Sequence, residues 1–176
     1  VLGKEERDLE IQLRALDEQT CQESSLLIEQ SQTDINTLRI ELLDILIPDE
    51  CDSGSSYPSG SAFFNVLNRE YLLDVEIRDL ITHNNKLLID EKSIQLELSE
   101  TRGLIPVAEL VYKIPENFVW GYVYLDDPIH LPYYNNFIQN IRSKYSEPKN
   151  LIPGNYSYFE VGNNGDVHVL GSPVEN

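Results

Sequence analysis

Apolar residues recur along the first hundred positions of the chain at steps of three, four and seven. Over residues 4–47, Leu9, Leu13 and Leu16 follow alternating steps of four and three; after Cys21 the pattern shifts by one residue and continues through Ile28, Ile35, Leu38, Leu42 and Ile45. Over residues 62–102, Val66, Leu73, Leu80, Leu87 and Ile94 are spaced by sevens, with Leu67, Ile81 and Leu88 beside them. Spacings of this kind keep side chains on one helical face, so they predict two amphipathic helices of coiled-coil length. Pro48 ends the first and Gly103 suits the C-cap of the second. The polar stretch 48–61, rich in serine and glycine, reads as a solvated loop joining them. The expectation is a long antiparallel helical hairpin over residues 1–103, with the five residues at sevens as an oligomer seam.

After residue 103 the pattern changes. Residues 104–114 contain a short strand, and 118–125 are aromatic and β-branched, the composition of a half-buried strand. Residues 133–145 place Tyr134, Phe137, Ile138 and Ile141 on one helical face. Two further strands flank a turn at Gly162-Asn163-Asn164-Gly165. The expected fold class is therefore α+β, with the coiled-coil hairpin followed by a small β-β-α-β-β head at 104–176. A head of that size has a marginal core of its own.

Charge narrows the choice of partners. The formal net charge is −17. It is divided among all segments, with no cluster of Lys and Arg set aside to neutralise phosphate. Nucleic acid and anionic lipid surfaces are poor partners for such a chain, and a basic protein is the natural complement. No stretch reaches 18 consecutive apolar residues, so no helical membrane span is expected. The sequence has no Met, and its first residues have no signal-peptide core, which reads as a processed or excised chain.

Aromatic residues are concentrated late: the head holds most of the 10 tyrosines. Tyrosine supplies contact area and a polar tip at low entropy cost. Tyr122, Tyr124, Tyr133 and Tyr134 are the candidate partner-binding residues. The chemistry-bearing residues do not assemble into a motif. Asp126-Asp127-Pro128-Ile129-His130 could hold a cation or shuttle protons, but its spacing matches no such site and an acidic turn accounts for it. His83 and His168 read as exposed side chains, and three dispersed histidines with two separated cysteines make no zinc set. Asn155-Tyr156-Ser157 is a glycosylation sequon, meaningful only in a secreted chain. On an unbroken helix, Cys21 lies roughly 39 Å from Ile47 at about 1.5 Å per residue, and Cys51 sits just past that end, far beyond disulfide reach. Free thiols, which favour a reducing compartment, are the expectation from that geometry, with a bridge between chains, Cys21 to Cys21 or Cys51 to Cys51, as the alternative.

The sequence thus leads to a non-enzymatic assembly or adaptor subunit with no catalytic residue, metal or cofactor, in a homo- or hetero-oligomer. The alternative is an extracellular or virion attachment protein with a stalk and a head.

Overall fold

A computed structural model of the chain describes residues 9–51, 54–78, 81–100, 102–115, 118, 125, 127–146 and 151–169. It is mostly β: strands make up 46%, and among the described residues there is one short α-helix and no long N-terminal helical hairpin. The expected coiled coil is therefore overturned, and with it the helical seam. The chain divides into two compact units, Val1–Leu110 and Val111–Asn176.

In the first unit the strands are β1 (Leu9–Arg14), β2 (Ser25–Asp34), β3 (Thr37–Leu46), β4 (Ser59–Phe64), β5 (Glu70–Ile77), β6 (Ile81–Ile89) and β7 (Ser93–Glu97). A short β8 (Leu110–Tyr112) closes the order β1-β4-β2-β3-β5-β6-β7-β8, at the point where the first unit gives way to the second. β1–β4, β2–β3, β5–β6 and β6–β7 are antiparallel, whereas β3 with β5 and the single pairing of β2 with β4 are parallel.

Burial follows a period of two, as the pleat requires. Along β5, Tyr71, Leu73 and Val75 are buried while Glu70 and Leu72 are exposed. Along β6, His83, Asn85, Leu87 and Ile89 are buried and the residues between them exposed. The register lines these up in rows: Leu38, Leu73 and Asn85; Ile40, Val75 and His83; Tyr71, Leu87 and Leu96. Leu9, Ala62 and Phe64 from β1 and β4 join the same core. Complete burial of Leu38 and Ile40 marks its centre.

The residues at sevens are accordingly placed in strands or beside them. Leu73 and Leu87 are buried in this chain's own core, and Val66 and Ile94 pack against it half-buried; Leu80 lies outside the described residues. The run of sevens crosses three strands and the turns between them.

Those turns explain why the helices do not form. Asp34 accepts hydrogen bonds from the Asn36 amide at 2.7 Å and the Thr37 hydroxyl at 2.9 Å, turning β2 into β3. The Asn36 amide, with further help from Thr37, holds the Asp34 carboxyl below its ordinary pKa. Asp90 does the same between β6 and β7, accepting from the Lys92 and Ser93 amides at 2.6 and 2.7 Å and from the Ser93 hydroxyl at 2.9 Å. An aspartate that satisfies the backbone two and three residues ahead stabilises a turn at the expense of a helix.

The join between β2 and β4 is made by side chains as well as backbone. Gln30 donates to the Phe63 carbonyl at 2.5 Å and accepts from the Phe63 amide at 2.6 Å, standing in for a missing strand residue. Gly60 permits the close approach: a Cβ there would lie 2.6 Å from Ile28 Cδ1.

Cys21 and Cys51 form a disulfide with Cα atoms 5.6 Å apart. The expectation of free thiols rested on an unbroken helix and falls with it. The cystine is buttressed by serines: Ser24 and Ser56 each donate to the Cys21 carbonyl at 2.9 Å and meet each other at 3.0 Å. Gln19 and Ser56 exchange backbone hydrogen bonds across the same junction. The serine-rich stretch read as a solvated loop thus contributes Ser56 to this clasp and Ser59, Gly60 and Ser61 to β4.

The second unit contains a three-stranded antiparallel sheet of β9 (Gly154–Asn155), β10 (Phe159–Val161) and β11 (Val167–Val169), in the order β11-β10-β9. The Gly162–Gly165 turn joins β10 and β11, closed by Gly162 N–H donating to the Asp166 carbonyl at 2.7 Å. The core is small. Tyr156, Phe159 and Val161 are buried, with Tyr112, Ile114, Phe118 and Leu151 packed on them. Tyr156 and Phe159 stack at 5.0 Å, and Phe118 stacks on Phe159 at 6.0 Å.

Candidate functional site: the aromatic face of the helix

The helix of the second unit, α1, runs Leu131–Lys144. Its start is fixed by a turn of 3-10 helix at Pro128–His130, where the Asp127 carboxylate accepts from the Ile129 amide at 2.8 Å. Pro132 follows in the first helical turn, where a missing N–H is tolerated. Arg142 and Lys144 stand in the last turn, where cations complement the helix dipole.

On a wheel of 100° per residue, Leu131, Tyr133, Tyr134, Phe137, Ile138 and Ile141 fall within one continuous arc, roughly 160° wide. The opposite arc holds Asn135, Asn136, Gln139, Asn140, Arg142 and Ser143. An arc of that width ordinarily marks a helix packed on a core. Here no residue of α1 is buried. Tyr133 is 75% exposed and Phe137 50%, and Leu131, Ile141 and Tyr145 are also exposed. Leu125, His130, Tyr133, Tyr134 and Phe137 line an open apolar groove of about 320 Å³. Single exposed apolar side chains are ordinary, but a contiguous set on one helical face is the mark of a contact surface.

Of the tyrosines singled out from the sequence, Tyr133 and Tyr134 meet in this groove. Tyr122 and Tyr124 lie outside the described residues. Phe137 and His130 belong to the groove and were not among the expected binding residues. The signal for Phe137 was its place on the same helical face as Tyr134. The charge around the helix is also distinctive: residues 128–146 contain no Asp or Glu in a chain of net charge −17.

The Asp126–His130 constellation resolves differently. The Asp127 carboxylate is occupied as a turn cap and His130 faces Tyr133, with ring centroids 6.4 Å apart; Asp126 lies outside the described residues. Among the described residues no group of three or more His, Cys, Asp or Glu converges as a metal site.

A second polar feature lies in the first unit. His83, expected at the surface, is fully buried in the row of Ile40 and Val75. Neither of its ring nitrogens has a hydrogen-bond partner, and Nδ1 stands 3.7 Å from the Glu100 carboxylate. Asn85, two residues on, accepts from the Ser99 amide at 3.1 Å while its Nδ2 has no partner. The sequence carried a signal for this burial, since His83 and Asn85 share the parity of Leu87 and Ile89. The outer face of the same sheet is charged, with Arg39 between Glu41 at 2.9 Å and Glu76 at 2.6 Å.

No protein-family model matches the chain, and no curated protein or solved structure matches it.

Proposed function

We propose that the protein is a non-enzymatic binding module that works in an oxidising compartment and captures a protein partner on the aromatic face of α1. The observation that carries this reading is the apolar arc of Leu131, Tyr133, Tyr134, Phe137 and Ile141, which the second unit leaves unburied. Burial of apolar area is the main driving force of association, and tyrosine and phenylalanine anchors concentrate it. The acid-free segment around the helix favours a partner with an apolar centre and an acidic rim, because Lys144 in its last turn then meets opposite charge. This departs from the basic partner that the overall charge suggests, since the local surface decides contact.

The Cys21–Cys51 disulfide supports the compartment. Such bonds persist in oxidising surroundings and are rare where thiol reductants are abundant. It favours an attachment or extracellular role over an intracellular adaptor, without the stalk that the sequence suggested.

The test is site-specific photo-crosslinking in the native source. A photoreactive residue at Phe137, on the apolar arc, is expected to yield a discrete adduct with one partner. The same residue at Asn136, on the polar arc, is expected to yield none. Equal labelling from both positions would contradict the reading.

A further inference from the structure

We infer that Asn155 is the acceptor of an N-linked oligosaccharide. The inference rests on the oxidising-compartment half of the proposed function and adds a covalent modification that the binding surface does not require. The sequon Asn155-Tyr156-Ser157 carries no weight where no glycosylation machinery is met, and the disulfide is what changes its standing.

The local geometry suits the reaction. Asn155 ends β9, an edge strand of the three-stranded sheet, so among the described residues its outer side has no neighbouring strand. The residue is half-buried and Ser157 is exposed. The two atoms of the Asn155 amide are used differently. Oδ1 accepts from the Ser157 amide at 2.7 Å, which fixes the side chain in a tight turn. Nδ2, the atom that would carry the sugar, makes no hydrogen bond among the described residues. Attachment therefore breaks no contact of the folded chain. Tyr156 between them points into the core and donates its hydroxyl to the Ile152 carbonyl at 3.0 Å, so the fold anchors the middle residue of the sequon and presents its ends.

The donor class is a lipid-pyrophosphate-linked oligosaccharide. A bond forms between Asn155 Nδ2 and the anomeric carbon of the first sugar. The bond from that carbon to the pyrophosphate oxygen breaks, the lipid pyrophosphate leaves, and the amide nitrogen loses one proton. The sugar would rise beside Ile152 and Tyr158, which are 45% and 47% exposed, and would cover apolar surface near the strand end.

The experiment is intact-mass and glycopeptide spectrometry of the full chain isolated from its own source, with the thiols counted in the same sample. The wild-type chain is expected to carry one oligosaccharide on the peptide containing Asn155, released by an amidase that converts the residue to Asp. Two variants made in the same source, Asn155→Gln and Ser157→Ala, are expected to be bare. Ser157→Ala keeps the backbone N–H that Oδ1 holds, so its loss of sugar cannot be assigned to a lost turn. A bare Asn155 in a chain whose cysteines are bonded overturns this inference and leaves the compartment standing. A bare Asn155 with two free thiols overturns both.

Discussion

The two units of the chain use apolar residues in opposite ways. In the first, alternate residues of seven strands converge on one core, with Leu38 and Ile40 fully enclosed and a disulfide at its margin. In the second, three of the described residues are buried, and the apolar face of its helix is left open. The lesson is a division of labour: the first unit turns apolar burial into stability, and the second leaves part of its apolar surface exposed, the surface that the proposed function assigns to a partner. Stability and contact are then separable by mutation.

The largest effects are expected in the first unit. Ile40→Ala removes a fully buried side chain between Leu38 and Val75 and should cost about 2–5 kcal/mol in urea unfolding. A loss below about 1 kcal/mol would mean that the row of Ile40, Val75 and His83 is not a packed one. Replacing Cys21 and Cys51 together by serine should cost about 3 kcal/mol, because the bond closes a long loop in the unfolded chain. An unfolding midpoint unmoved by reductant would contradict the bond.

His83 sharpens the comparison in the other direction. Its buried nitrogens have no partners, so His83→Leu, of similar size and apolar, should be neutral or stabilise by up to about 1 kcal/mol. Strong destabilisation would show that the imidazole has a polar partner in solution, such as a buried water.

Effects on stability should be smallest on α1. Tyr133→Ser and Ile141→Ser should each change unfolding free energy by no more than about 0.5 kcal/mol, as substitutions at exposed sites do, while abolishing the adduct crosslinked from position 137. A large stability loss with binding intact would reverse the assignment of the two units.

The second unit also has its own pH signature. Burial, opposed in part by the bond to the Ile152 carbonyl, raises the Tyr156 hydroxyl above its ordinary pKa of 10.0. A raised pKa means that the stabilisation is complete below the unfolded value and is lost as the pH rises through the folded one. The near-ultraviolet signal of the stacked Tyr156 and Phe159 is therefore expected to collapse above pH 10, and the Tyr156→Phe variant should retain it longer.

Legibility in the sequence followed the same division. In the second unit the β10–β11 hairpin and α1 were readable because their signals are local, while β9 was not foreseen and most of the strand expected at 118–125 lies outside the described residues. The Gly162–Gly165 turn sets a hairpin with Phe159 opposite Val169, and the wheel of residues 133–145 found the helix. The first unit was misread because a period of seven and a period of two coincide at every second seven. Leu73 and Leu87 satisfy both, and the Asp90 turn between Leu87 and Ile94 was passed over as part of a helix. His83, a polar residue on the buried parity, strengthened the error by reading as an exposed helical side chain. Propensity held contrary information: Tyr71, Val75 and Ile77 in β5 are residues that favour strands. The disulfide was hidden behind the same mistake, since its exclusion was sound arithmetic applied to a helix that does not exist.

The separation of the two units is tested most directly by carbene footprinting of the isolated chain, comparing Tyr133 and Phe137 on α1 with Leu87 in the core of the first unit. The account predicts heavy labelling of Tyr133 and Phe137 and protection of Leu87, with the α1 residues becoming protected once the partner is added. Protection of Phe137 equal to that of Leu87 in the isolated chain would mean that the helix face is covered by this chain itself, and would contradict the account.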